Sequence, residues 1–272
     1  MSLSRGLRRA AFWGLLGATL TFLLFPLVWM ALGSFKTQVD FMAYPPRWLF
    51  RPTLANYAKV LISGDFLKFT WNSLVIAAGS TALSLLLGVP AAYGIARYHQ
   101  TRLGMALLAA RMAPGIAFLI PWFILFSKLR MVDTYPAVML THMVVVLPLV
   151  IWVLVGFFED MPRELEEAGL IDGCSVLGVF RRIALPLARP GIVATAILGV
   201  IASWNNFIGP LIVMRSPDMY TLPLALRSLQ SPVNTEWGAL MTGSAIATLP
   251  LVVLFVLSSR QLISGLTAGA VK

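Results

Sequence analysis

Five stretches of this chain, 10–35, 69–96, 134–158, 190–214 and 237–259, each run for more than 20 residues without a charged side chain. About 20 apolar residues cross the hydrocarbon core of a bilayer as a helix. A sixth stretch, 103–127, is interrupted once, by Arg111. A chain of 272 residues that is 58% hydrophobic and 12% charged, with mean hydropathy +0.83, lacks the polar coat of a soluble domain. Lipid must cover much of its surface. The expectation is an all-α, polytopic membrane protein with six transmembrane helices.

The net charge of +10 does not indicate nucleic acid. The cations sit in the gaps between apolar runs rather than on one face or in an aromatic-lined groove. Cys174 is the only cysteine, so neither an internal disulfide nor a thiolate metal cluster can form. The spans carry no acid and one histidine, His142, a residue expected to serve helix packing. An intramembrane enzyme would need paired acids, an H-E-x-x-H or a Ser–His pair; with no acid and only His142 in the spans, the expectation is neither an enzyme nor a metal site.

The first span follows Arg5, Arg8 and Arg9 and is too long for a signal-peptide core, so it is expected to be a retained helix. With residues 1–9 in the cytoplasm, eleven loop cations fall inside and nine outside. That bias is weak, but the Arg5–Arg9 cluster abuts a helix end, where cations count most. The segment 36–68 then lies outside and reads as turns with a short interfacial helix. The segment 260–272 lies inside.

The segment 159–189 is the only strongly charged one. Pro162 suits a first helical turn, and Glu164, Glu166 and Glu167 suit the positive end of a helix dipole. Gly173 permits a turn, with Asp172 beside it as a cap for the next helix. Val176, Leu177, Val179, Phe180 and Ile183 give that helix an apolar stripe. Leu185-Pro186 ends it, and Pro190 opens the next span. Six acids oppose adsorption to anionic headgroups. The bent pair therefore reads as a knob for a groove on another protein.

Glu167-Ala168-Gly169, Gly173, Ile183 and Leu185-Pro186 match, in spacing throughout, the "EAA" loop of ABC-importer permeases. Gly169 stands where alanine is usual, a small-for-small change expected to be tolerated. Asn72-Ser73-Leu74, Ala91-Ala92-Tyr93, Trp204-Asn205 and the tail from Gly265 to Lys272 resemble the carbohydrate-uptake branch, related to the second maltose-transport permease.

This resemblance implies a type I ABC importer permease fold in the prokaryotic inner membrane, with both termini cytoplasmic. It divides the core 69–264 into spans 69–96, 103–127, 134–158, 190–214 and 237–259, with the coupling loop at 159–189. It implies as partners a second permease, two ATP-binding subunits and an extracytoplasmic solute-binding protein. No G-x-x-x-x-G-K-[ST] occurs here, so ATP and Mg belong to the ATPase and this chain has no cofactor of its own. Glu166, Glu167, Ala168, Gly169, Asp172, Gly173, Ile183, Leu185 and Pro186 would form the coupling surface. Glu167 would pair with a basic residue, and Gly173 would allow close backbone approach. Gly265, Thr267 and Gly269 would lie in a flexible tail touching the ATPase. Loop 216–236 is either a probe for the binding protein or an ordinary surface loop.

For the solute path, Trp204, Asn205 and Asn206 offer stacking and amide hydrogen bonds, and such amides in lipid need a cavity or a neighbour. Arg111 either lines the path or snorkels to the inner face. His99 has no partner readable from sequence. The solute expected is a sugar, an oligosaccharide first and a polyol or glycerol phosphate as the alternative. A channel is the less favoured class.

Overall fold

The computed structural model describes residues 2–112, 115–231 and 235–268. The described residues form helices, turns and loops, with no strand. The main helices are α1 (Ser2–Ser34), α2 (Phe66–Arg97), α3 (Thr101–Met112), α4 (Leu119–Lys128), α5 (Tyr135–Glu159), α6 (Arg163–Ile171), α7 (Val176–Leu187), α8 (Arg189–Trp204), α9 (Ile208–Val213), α10 (Leu222–Ser228) and α11 (Trp237–Ala268).

Four of them are continuous and apolar enough to cross a bilayer: Arg8–Ser34 within α1, α2, α5 and Trp237–Ser258 within α11. Each holds one internal proline, Pro26, Pro90, Pro148 or Pro250, as membrane helices tolerate where neighbours satisfy the freed backbone. The other two expected spans are broken. The third divides into α3, a 3₁₀ turn Gly115–Phe118 and α4. Pro114, expected to kink it, lies outside the described residues. The fifth is interrupted after Trp204, where the Asn205 amide bonds back to the Ile201 carbonyl (2.9 Å) and the Asn206 amide oxygen accepts from Gly209 N (3.1 Å). Asparagine side chains compete for backbone partners in this way, and here they end one helix and start the next.

The chain forms two compact units. One comprises residues 1–67 and 226–249. In it the segment 36–68, expected as turns with a short interfacial helix, is tied down by hydrogen bonds. Asn56 donates to the carbonyls of Ser34 (2.9 Å) and Lys36 (2.8 Å). Lys36, almost fully buried, donates to the Arg47 carbonyl (2.7 Å) and sits 4.6 Å from the Trp29 ring centre, an ammonium held by a π face.

The other unit comprises residues 68–225 and 250–272. Its main core joins α2, α5 and the loop helices through Val89, Ala92, Val150, Leu154, Phe158 and Ala184. A second core gathers Ile76, Phe126, Val138, Ile212 and Leu224. Glycines let the helices approach: a Cβ on Gly88 would meet Val150 at 2.6 Å, and one on Gly191 would meet the Phe157 ring at 2.7 Å.

The tail departs from expectation. Helix α11 runs on to Ala268, so Gly265 and Thr267 have helical backbone rather than that of a flexible end. Residues 260–264 contain no breaker, and one internal glycine costs a helix only about 1 kcal/mol. Gly269 lies outside the described residues.

Candidate functional site

Segment 159–189 folds as helix, bend, helix, with several positions reassigned. Pro162 is not in the first turn; it is the extended residue just before α6. Helix α6 ends at Ile171 in a Schellman motif, in which Cys174 N donates to Gly169 O and Gly173 N to Leu170 O (both 3.0 Å). Gly173 takes φ +87°, the left-handed region where a side chain is costly, and open space surrounds the place a Cβ would occupy. Within the chain this glycine therefore answers the turn rather than a close contact. Asp172, expected to cap the following helix, closes the preceding one. Ser175 caps α7 instead, accepting from Gly178 N (3.2 Å).

The second helix ends one residue past Leu185-Pro186, at Leu187. The backbone widens to a π turn over Phe180–Ala184 and carries on to Leu187 before bending 71° into α8. The π turn lies where Pro186 can donate no helical hydrogen bond.

The two glutamates at the heart of the motif face opposite ways. Glu166 turns inward and is almost buried, a correction to its place among partner-facing residues. Arg97, at the end of α2, grips it with Nη2 on Oε1 (2.6 Å) and Nε on both oxygens (2.9 Å). The same guanidinium donates to the Phe158 carbonyl through Nη1 (2.5 Å), and the Tyr93 hydroxyl donates to Glu166 Oε2 (3.0 Å). The Tyr93 ring packs on Phe158 and Phe180. Gly169 lies under Ile183, whose terminal methyl occupies the place of an alanine Cβ; the unusual glycine and the motif isoleucine thus fit together.

Glu167 is exposed, as are Glu164, Ala168, Asp172, Gly173 and Pro186. Around the bend stand Leu170, Ile171, Val176 and Leu177, each 47% exposed or more, with Ile171 at 85%. Four exposed aliphatic side chains thus flank the bend, with Glu167 and Asp172 exposed in the same segment. Leu170 and Ile171 were not singled out from sequence, although they sit three and two residues before the bend glycine. Arg97 and Tyr93 were not singled out for this site either, because 69 residues separate Arg97 from Glu166.

The path residues are distributed differently. Trp204 is buried, so its ring is not open to a ligand in this conformation, and the Asn206 amide oxygen caps α9. Asn205 is exposed at the break. Arg111 lies in α3, and its side chain is outside the described residues. His142 Nδ1 lies 2.6 Å from Ser203 Oγ, linking α5 to α8. His99 meets Arg163 Nη2 through Nε2 (2.8 Å).

On the opposite end of α2, Asn72 donates to the carbonyls of Asp218 and Tyr220 (3.0 Å each) and accepts from the Tyr135 hydroxyl (2.7 Å). The Ser73 hydroxyl accepts from Leu222 N (2.8 Å). These contacts hold the first part of the loop that precedes the last span.

Residues 84–267 match the family of binding-protein-dependent transport system inner membrane components. A probable ABC transporter permease of Sinorhizobium fredii is 36% identical over 97% of this chain and 96% of its own length. The diacetylchitobiose uptake system permease of Streptomyces coelicolor is 34% identical, covering 92% of each chain. The trehalose/maltose transport system permease of Thermococcus litoralis is 34% identical over 92% of this chain and 91% of its own. In fold, a bacterial ABC transporter involved in alginate import superposes with TM-score 0.77, at 17% identity over 94% of this chain and 97% of that one.

Proposed function

The chain belongs to the family of binding-protein-dependent transport system inner membrane components, and from that premise we propose that the 159–189 loop is the lever by which a partner ATPase drives sugar import. The protein is a membrane-embedded permease subunit of an ABC importer, not an enzyme. A second permease completes the path, two ATP-binding subunits hold ATP and Mg, and a solute-binding protein delivers the cargo. The termini lie in the cytoplasm, which places the loop beside the ATPase. ATP-driven closure of that partner pushes the loop and tilts the helices, exchanging inward for outward access about a midplane site.

The observation that carries this reading is the two-faced loop. Its inner face is locked to α2 by Arg97 and Glu166, while its outer face presents Glu167 and an aliphatic tip. A knob of this kind suits a hydrophobic groove with a basic rim. The cargo we assign is an oligosaccharide, supported by relatives whose names specify diacetylchitobiose, arabinooligosaccharides and trehalose/maltose.

The test is uptake of labelled oligosaccharides by cells that depend on this permease. Glu167→Arg reverses the exposed charge, and Gly173→Trp forces a bulky side chain into the left-handed turn. Both are expected to cut ATP-driven uptake by about tenfold or more while membrane levels hold, the effect of losing roughly 1.4 kcal/mol of coupling. Wild-type uptake in both variants would overturn the docking role.

A further inference from the structure

We infer, building on the importer reading, that the seam where α2, α5 and α8 meet is a closed section of the translocation path, lined for an uncharged, hydroxyl-bearing solute. Three buried side chains bridge these helices. Ser80 Oγ of α2 lies 2.9 Å from Ser203 Oγ of α8, which lies 2.6 Å from His142 Nδ1 of α5. None is more than 2% exposed. Whichever ring nitrogen carries the proton, Nε2 of His142 has no hydrogen-bond partner among the described residues, and neither has the hydroxyl of Thr81 or of Ser84. Ser80 and Ser84 lie one turn apart on α2, with Thr81 between them, so the unpaired groups border the bridge.

Polar groups left unpaired in a dry membrane interior cost free energy that a purely structural seam would avoid with aliphatic side chains. A seam that opens to water or to a polyhydroxylated solute during part of a transport cycle removes that cost. Its chemistry is selective: imidazole and hydroxyls donate and accept, and none of these lining groups offers a countercharge to an ionic solute. Two glycines allow the tight closure. A Cβ on Gly199 would stand 3.0 Å from both Thr81 Cγ2 and Val146 Cγ1, and one on Gly209 would press on Thr141 and on His142 Cδ2. The break at Asn205–Phe207 begins two residues after Ser203, between α8 and α9.

The experiment uses the whole importer with its ATPase, purified and reconstituted. Cys174→Ser removes the one native thiol. Single Thr81→Cys, Ser84→Cys and Ser203→Cys variants then report water access, because methanethiosulfonates react with thiolate, which forms where water reaches. The probe is the neutral 2-hydroxyethyl methanethiosulfonate, with Leu86→Cys on the exposed apolar face of α2 as the control. Labelling of Ser84→Cys and at least one other seam thiol is expected to be slow without nucleotide and to accelerate by about tenfold or more in the vanadate-trapped complex, the mark of a thiol newly reached by water. The Leu86→Cys rate is expected to stay unchanged. Seam thiols protected in both states would overturn the inference, leaving a packed seam or one around a fixed water. Seam thiols reactive in both states would overturn it as well, since the section would not be closed. Absence of a co-purifying, vanadate-sensitive ATPase would instead sink the importer reading, and the seam assignment with it.

Discussion

Arg97 and Glu166 form the contact on which the loop's geometry depends. Their side chains are each 10% exposed, and the carboxylate is met by Arg97 from two nitrogens and by Tyr93 from a third direction. Removing one member of such a pair strands the other charge, at a cost of about 3–5 kcal/mol. Arg97→Ala is therefore expected to lower the melting temperature of the purified protein and to speed thiol labelling of Cys174, which lies beside the bend. Arg97→Lys is expected to fall between, since a point-charge ammonium cannot reproduce the fork. Melting and labelling like wild type in Arg97→Ala would show that the pair does not hold the loop. Glu166 and Glu167 are neighbours of the same type in sequence, yet one is clamped inside and the other faces out. Helical spacing alone does not separate them, because the choice is made by an arginine 69 residues earlier.

At the scale of elements, the long apolar helices were legible and their interruptions less so. The spans at α1, α2, α5 and α11 follow from uncharged runs, and each helix extends the expected range by one to several residues at an end. The break after Trp204 lies within an equally apolar run; it comes from two asparagine amides that bind backbone, a local preference hydropathy does not register. Loops show the same limit. Asp133, between α4 and α5, accepts from Arg215 N (2.5 Å), Ser216 N (3.0 Å) and the Ser216 hydroxyl (2.9 Å). Burial alone would raise its carboxyl pKa, but these backbone and hydroxyl donors outweigh it and hold the pKa below the ordinary 3.8. A carboxyl lowered in the folded state stabilises above its unfolded pKa, and that contribution is lost as pH falls through the lower folded value. Asp133→Asn is therefore expected to be less stable than wild type at pH 7, by about 1 kcal/mol. The gap should close as the medium is acidified from about pH 4 downward, since the unfolded carboxyl titrates there. Melting curves across that range check it, and a constant gap would assign the loss to something other than the charge.

At the scale of the molecule, α2 connects the two sides of the second unit. Arg97 at one end fixes the 159–189 loop, and Asn72 at the other clamps the segment Asp218–Tyr220. Twenty-five residues separate them, about 38 Å at 1.5 Å per residue, long enough to span a bilayer core. On the coupling proposed above, a push on the loop would travel along this one element to the opposite side. The motif spacing located the loop, but the exposed tip emerged only once the Schellman turn placed Leu170 and Ile171 beside Val176 and Leu177. The docking claim is tested most directly by placing a photo-crosslinking residue at Ile171, the most exposed of the four, in cells that express the full importer. The expected product is an adduct with the importer's ATP-hydrolysing subunit, identified by mass spectrometry and lost when Gly173→Trp is added. Adducts with lipid alone, or an ATPase adduct that persists undiminished in Gly173→Trp, would contradict the account.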